Sequence, residues 1–136
     1  MTIYLDFDGT VVEHNYPAIG APNPHALRVI AKLQANGHHF ILNTYRADLN
    51  DGSLEEALAY LNSSGEVEPI SEHLELKVNP PRFDLDEALQ LDELYIDDIS
   101  EGTPMRPNKV LEWGLMVDWN ASKYELITVD LFSFDF

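Results

Sequence analysis

Residues Ile3-Tyr4-Leu5-Asp6-Phe7-Asp8-Gly9-Thr10 constrain this chain most. An apolar run rich in β-branched and aromatic residues reads as a buried strand, and it leads directly into two carboxylates. Side chains two apart on a strand point the same way, so extended geometry through Asp8 turns Asp6 and Asp8 toward one site. Gly9 then allows a sharp turn and a close backbone approach to a ligand. Crowded carboxylates repel and call for a shared proton or a cation. A hard cation with oxygen ligands, Mg²⁺ above all, suits such a pair.

A second strand ends the same way. Leu94-Tyr95-Ile96 runs into Asp97-Asp98, and two adjacent carboxylates at a strand tip are costly unless a cation holds them. Between the two acidic tips the chain alternates elements. Asn23 as N-cap and Pro24 at the first helical position predict a helix with Leu27, Ile30, Ala31 and Leu33 on its apolar stripe and Gly37 at its end. His38 to Asn43 reads as the next strand, followed by Thr44 and Arg46. This strand–helix–strand order favours a parallel sheet. Ser53-Leu54-Glu55-Glu56 reads as a capping box opening a helix through Leu61. Glu66 to Ile70 reads as a short edge strand beside Pro69. A short helix is expected over residues 84–90 and a strand over Leu115–Trp119, while Leu126–Phe132 reads as a further strand or an oligomer contact. The segment Val11 to Gly20 reads as a structured loop or short hairpin, with His14 and Tyr16 either packing it or touching substrate.

The 136 residues suggest one domain, and 45% hydrophobic residues supply a core for it. Absence of cysteine excludes disulfides, thiolate nucleophiles and Cys-ligated zinc. No 18-residue apolar run and no basic-then-apolar leader is visible, so a cytoplasmic, membrane-free protein is expected. The net charge of −16 is lopsided: residues 1–50 carry −1 and residues 51–136 carry −15. Such a surface repels nucleic acid. No Gly-x-x-x-x-Gly-Lys-Ser/Thr occurs, which excludes a P-loop.

The octet Ile3–Thr10 resembles the first motif of the haloacid dehalogenase (HAD) superfamily, Asp-x-Asp-x-Thr/Val after the first strand. Thr44 at a strand end matches the second motif and the Asp97-Asp98 tip the fourth. For the third, a lysine, Lys77 is the candidate and Arg82 the runner-up. Residues 6–20 further resemble a small cap-less group of this superfamily found in bacteria and phages. A response-regulator receiver also gathers Asp, Thr and Lys around Mg²⁺, but its paired acids come first and its phosphorylated Asp later, the reverse of this order.

The resemblance implies a Rossmann-like three-layer α/β fold: a mainly parallel central sheet flanked by helices, one domain over residues 1–136 and no cap. It implies a Mg²⁺-dependent phosphohydrolase working through a phosphoaspartate. Asp6 would be the nucleophile, Asp8 the general acid and base, and Thr44 and Lys77 the groups stabilising the phosphoryl oxygens. Mg²⁺ would be held by Asp6, Asp98 and the Asp8 carbonyl, with Asp97 acting directly or through water. Gly9 and Thr10 belong to the expected substrate-binding set, and Arg46 adds a bidentate phosphate contact. The partner is a small phosphorylated substrate, and a second subunit could cover the open site. The alternatives are a non-catalytic or regulatory Mg²⁺-binding module and a phosphotransferase.

Overall fold

The structure, a computed structural model, describes residues 1–74, 83–97, 104–107 and 115–119. Strands β1 (Thr2–Leu5), β2 (His39–Asn43), β3 (His73–Leu74) and β4 (Glu93–Ile96) form one sheet in the order β3-β2-β1-β4. Every pairing in it is parallel. Parallel neighbours need crossovers, and helices supply them. Helix α1 (Ala26–Ala35) joins β1 to β2, α2 (Arg46–Leu49) and α3 (Ser53–Asn62) lie between β2 and β3, and α4 (Leu85–Leu91) precedes β4. The expected α/β architecture with a mainly parallel sheet is therefore present. From β1 the chain steps outward to β3, then returns to the other side of β1 with β4. This reversal of strand order beside β1 marks the position, at the carboxyl ends of β1 and β4, where open α/β sheets place their binding crevice.

The sheet is buried by alternation. Ile3 and Leu5 on β1, and Leu94 and Ile96 on β4, are almost completely inaccessible. The half-buried Tyr4 and Tyr95 between them pair across the two strands, with stacked rings 4.8 Å apart. Val29, Ile30 and Leu33 of α1 and Ala57 and Leu61 of α3 join the same core.

Several sequence expectations are corrected in detail. Asn23 does not cap α1: the N-cap position is His25, in the left-handed region at φ 68°, and no side chain caps it. Asn23 is used elsewhere. The C-terminal end is as expected, with Gly37 at φ 87° and its N–H donated to the Gln34 carbonyl. The capping box at Ser53 does not form either. Gly52 is the N-cap of α3, and the Asp51 carboxylate accepts from both the Ser53 amide and the Ser53 hydroxyl.

Glu66–Ile70 is not a strand. Side-chain amides satisfy its backbone instead. Asn62 donates to the Ile70 carbonyl and accepts from its N–H, and Gln34 does the same for Glu68. The edge strand is His73–Leu74, paired with Leu42 and Asn43. Leu115–Val117 is a strand (β6), but it pairs antiparallel with β5 (Met105–Pro107) in a separate two-stranded sheet. The expected strand near residues 126–132 lies outside the described residues, as do Lys77, Arg82 and Asp98. Among the described residues no helix is long and apolar enough to cross a membrane.

Candidate active site

The sheet register brings three of the singled-out residues to one edge. Leu5 is level with Leu42 on one side and Ile96 on the other, so Asp6, Asn43 and Asp97 follow on neighbouring strand ends, and Thr44 comes next on its own. The Asp6 amide donates to the Ile96 carbonyl at 2.9 Å, which extends the β1–β4 ladder up to the first carboxylate. Asp97 is 4% exposed and Thr44 1%. A carboxylate that deep in a strand end needs compensation by hydrogen bonds or opposite charge.

After Asp6 the chain turns helically. Val11 and Thr10 both donate to the Phe7 carbonyl, at 2.8 and 3.2 Å. Gly9 makes the turn at φ 76°, a region that costs any residue with a Cβ. Its N–H is donated to the Val12 carbonyl, and its own carbonyl accepts from Val117 of β6. Thr10 is fully buried, and its hydroxyl donates to Asp6 Oδ2 at 3.0 Å. The Thr10 carbonyl accepts from Asn23 Nδ2 and Trp119 Nε1, both at 2.7 Å, and Asn23 Nδ2 also donates to the Val117 carbonyl. Thr10 thus braces Asp6, and Gly9 is tied into the turn through both its N–H and its carbonyl.

Arg46 holds the other carboxylate. Its Nε donates to Asp8 Oδ2 at 2.7 Å and its Nη2 to Asp8 Oδ1 at 2.8 Å, a bidentate pair. Nη2 also donates to the Ala18 carbonyl, and Nη1 to the carbonyls of Pro17 and Ser53. All five N–H bonds of the guanidinium are therefore committed within the chain. The side chain is 1% exposed, against 17% for Asp8, and its guanidinium lies 5.1 Å from the Phe7 ring centre and 5.2 Å from that of Tyr16. Burial pulls the Arg46 pKa down, but the hydrogen bonds and charge of Asp8 more than offset this and leave it raised. In this arrangement the bidentate contact of Arg46 is with Asp8, and the phosphate contact expected of it requires that pair to open.

Tyr16 is anchored in turn. Its hydroxyl donates to Asp51 Oδ2. Hydrogen bonds from Ser53 and Tyr16 hold the exposed Asp51 carboxyl at about 2, well below the usual range. The same bond to Asp51 raises the Tyr16 phenol.

Oxygen donors suited to a hard cation stand at the strand ends. Asp6 and Asp97 follow adjacent strands, and Asp98, expected beside them, lies outside the described residues. Among the described residues no group of three candidate ligand side chains gathers. The Asp8 carboxylate faces Arg46, so its side chain is not a ligand in this arrangement. The carbonyl contribution expected of Asp8 remains compatible with it. The donor set fits Mg²⁺ in kind.

Sequence reasoning missed Asn23, Asp51 and Trp119 as parts of this construction. Their partners lie 13, 35 and 109 residues away, and no local pattern signals such contacts.

Fold and site together define an α/β protein with a carboxylate centre at the carboxyl edge of a parallel sheet. No family model and no curated protein matches the chain. A solved structure of a conserved protein from Bacteroides thetaiotaomicron is similar to it, with 30% identity and a TM-score of 0.59 over 95% of this chain and 90% of that one. At that identity over nearly the full length of both, the chain belongs to the family of that conserved protein.

Proposed function

We propose that the chain is a Mg²⁺-dependent phosphohydrolase of the HAD type, with a Rossmann-like three-layer fold and no cap domain. One observation carries this: the parallel register sets Asp6 and Asp97 on adjacent strand ends where the strand order reverses, with Thr44 following on the next strand. The helical turn after Asp6 and the Val12–Pro22 bridge behind it support the same reading. So does the short passage from Val11 to Asn43, filled by one loop, α1 and β2.

In this reading Asp6 attacks phosphorus in line as the bond to the leaving oxygen breaks, forming a phosphoaspartate. Asp8 gives the leaving oxygen its proton, then takes one from the water that displaces phosphate from Asp6. Its carboxylate keeps lone pairs beyond the two Arg46 occupies, and its partial exposure admits the reacting oxygen. The Thr10 hydroxyl orients Asp6. Thr44, and Lys77 or Arg82 from outside the described residues, serve the equatorial oxygens. Mg²⁺, when bound by Asp6, Asp98 and the Asp8 carbonyl with Asp97 beside them, supplies positive charge that lets an anionic nucleophile meet an anionic phosphate. The substrate is a small phosphoester, the location cytoplasmic, and a second subunit could cover the open site.

The Arg46 clamp on Asp8 favours a second reading, a Mg²⁺-binding module without turnover. Phosphate release from p-nitrophenyl phosphate and a panel of small phosphoesters, with Mg²⁺ and with EDTA, separates the two. Release that requires Mg²⁺ and is abolished in a folded Asp6→Asn variant is the expected result. Mg²⁺ binding with no release across the panel favours the module, and transfer to an added alcohol exceeding hydrolysis would mark a phosphotransferase.

A further inference from the structure

Beside Asp8 lies a pocket of about 330 Å³ lined by Asp8, Tyr16, Tyr45, Arg46 and Leu49. Among the described residues three large hydrophobic side chains are exposed, and two of them, Tyr16 at 45% and Tyr45 at 59%, stand on this wall. Single exposed aromatics are ordinary, but two lining one pocket beside a carboxylate are a surface that a ligand can cover. The Tyr16 ring is also fixed in place: its hydroxyl is tied to Asp51, and the Arg46 guanidinium packs against it. A ring held this way loses little freedom when a ligand stacks on it.

The same wall offers few free hydrogen-bond donors. Every donor of Arg46 is committed, and Asp8 offers only the acceptor lone pairs that Arg46 leaves. A polyol buried here would leave hydroxyls short of partners, which is costly. A flat ring loses nothing of the kind and gains stacking.

We propose that this pocket receives the alcohol side of the substrate and selects a phosphomonoester that carries a planar aromatic ring, over sugar and glycerol phosphates. The assignment rests on the phosphohydrolase reading for the identity of the reacting group, but the pocket's preference can be measured without turnover. Calorimetric titration of the full chain with benzylphosphonate and with propylphosphonate, in the presence of Mg²⁺, compares a ring with a chain of similar reach. The expected result is about tenfold tighter binding of the aromatic probe, the size of one good stacked pair, with most of that ratio lost in Tyr45→Ala. Tyr45 is exposed, so its truncation leaves the fold standing.

A ratio near one in the wild-type protein, a ratio untouched by Tyr45→Ala, or binding of neither probe overturns the proposal. Selective binding without phosphate release from any substrate keeps the aromatic pocket and removes the hydrolase. Where turnover is present, kcat/KM for phenyl phosphate against nucleoside 5′-monophosphates tells whether the ring is joined directly to the phosphate or through a ribose.

Discussion

Arg46 shows how much one side chain can hold together. Its fork satisfies Asp8 and three carbonyls from a position that is 1% exposed. Removing one member of a buried ion pair typically costs about 3–5 kcal/mol, and the partial exposure of Asp8 puts Arg46→Ala at the lower end of that range. Arg46→Ala is accordingly expected to lower thermal stability by about 10 °C or more, read by calorimetry. Arg46→Lys should recover only part of this, since an ammonium has three donors and no planar fork. If Arg46→Ala melts with the wild type, the pairing is not what holds the loop.

Asp51 carries a pH consequence whose sign follows from its lowered folded value. Its contribution is complete above the ordinary 3.8 and is lost as pH falls through about 2. Carboxyl-carbon NMR titration of Asp51 should therefore give a midpoint near the lower figure. A midpoint at 3.8 would mean that the Ser53 and Tyr16 hydrogen bonds do not persist in solution.

At the scale of elements, the residues that declare themselves in the sequence are those whose partners are local or periodic. β1, β2 and β4 follow from apolar runs and α1 from its apolar stripe; these, with α3 and α4, form close to where they are expected. The acidic strand tips were legible for the same reason. Less legible was everything decided by distant partners. Glu66–Ile70 has the composition of a strand, yet Asn62 and Gln34 claim its backbone, and the short His73–Leu74 segment takes the sheet edge instead. β5 ends on a proline within three residues and has no period to read. The role of Arg46 could not be read from Thr44-Tyr45-Arg46 because four of its acceptors lie on the Asp8 tip and the 17–18 loop, and Ser53 begins a different helix.

The side-chain clamp on the 66–70 segment makes its own prediction. Asn62→Ala leaves the Ile70 amide and carbonyl without their partners and should cost about 1–3 kcal/mol. Native-state hydrogen exchange should locate the loss at Ile70. Unchanged protection there would show that packing of Val67 and Ile70 in the core suffices.

Over the whole molecule, charge is the dominant feature. Twenty-four acidic and eight basic side chains leave a net −16 that opposes compaction. Raising NaCl from about 20 mM to about 0.5 M shortens the screening length several-fold and should raise the melting temperature. A melting temperature that falls with salt would mean that specific ion pairs outweigh the overall repulsion.

The five donors of Arg46 join the tip of β1, the loop at Pro17 and Ala18, and the start of α3. Loop position and carboxylate direction then behave as one variable. A movement of the guanidinium that loosens Asp8 also loosens the two loop carbonyls, and a lift of the loop that carries the guanidinium with it loosens Asp8, by the same coupling free energy in both directions. Changes engineered into residues 16–18 will be felt in the Asp8 carboxylate through the shared Arg46 fork.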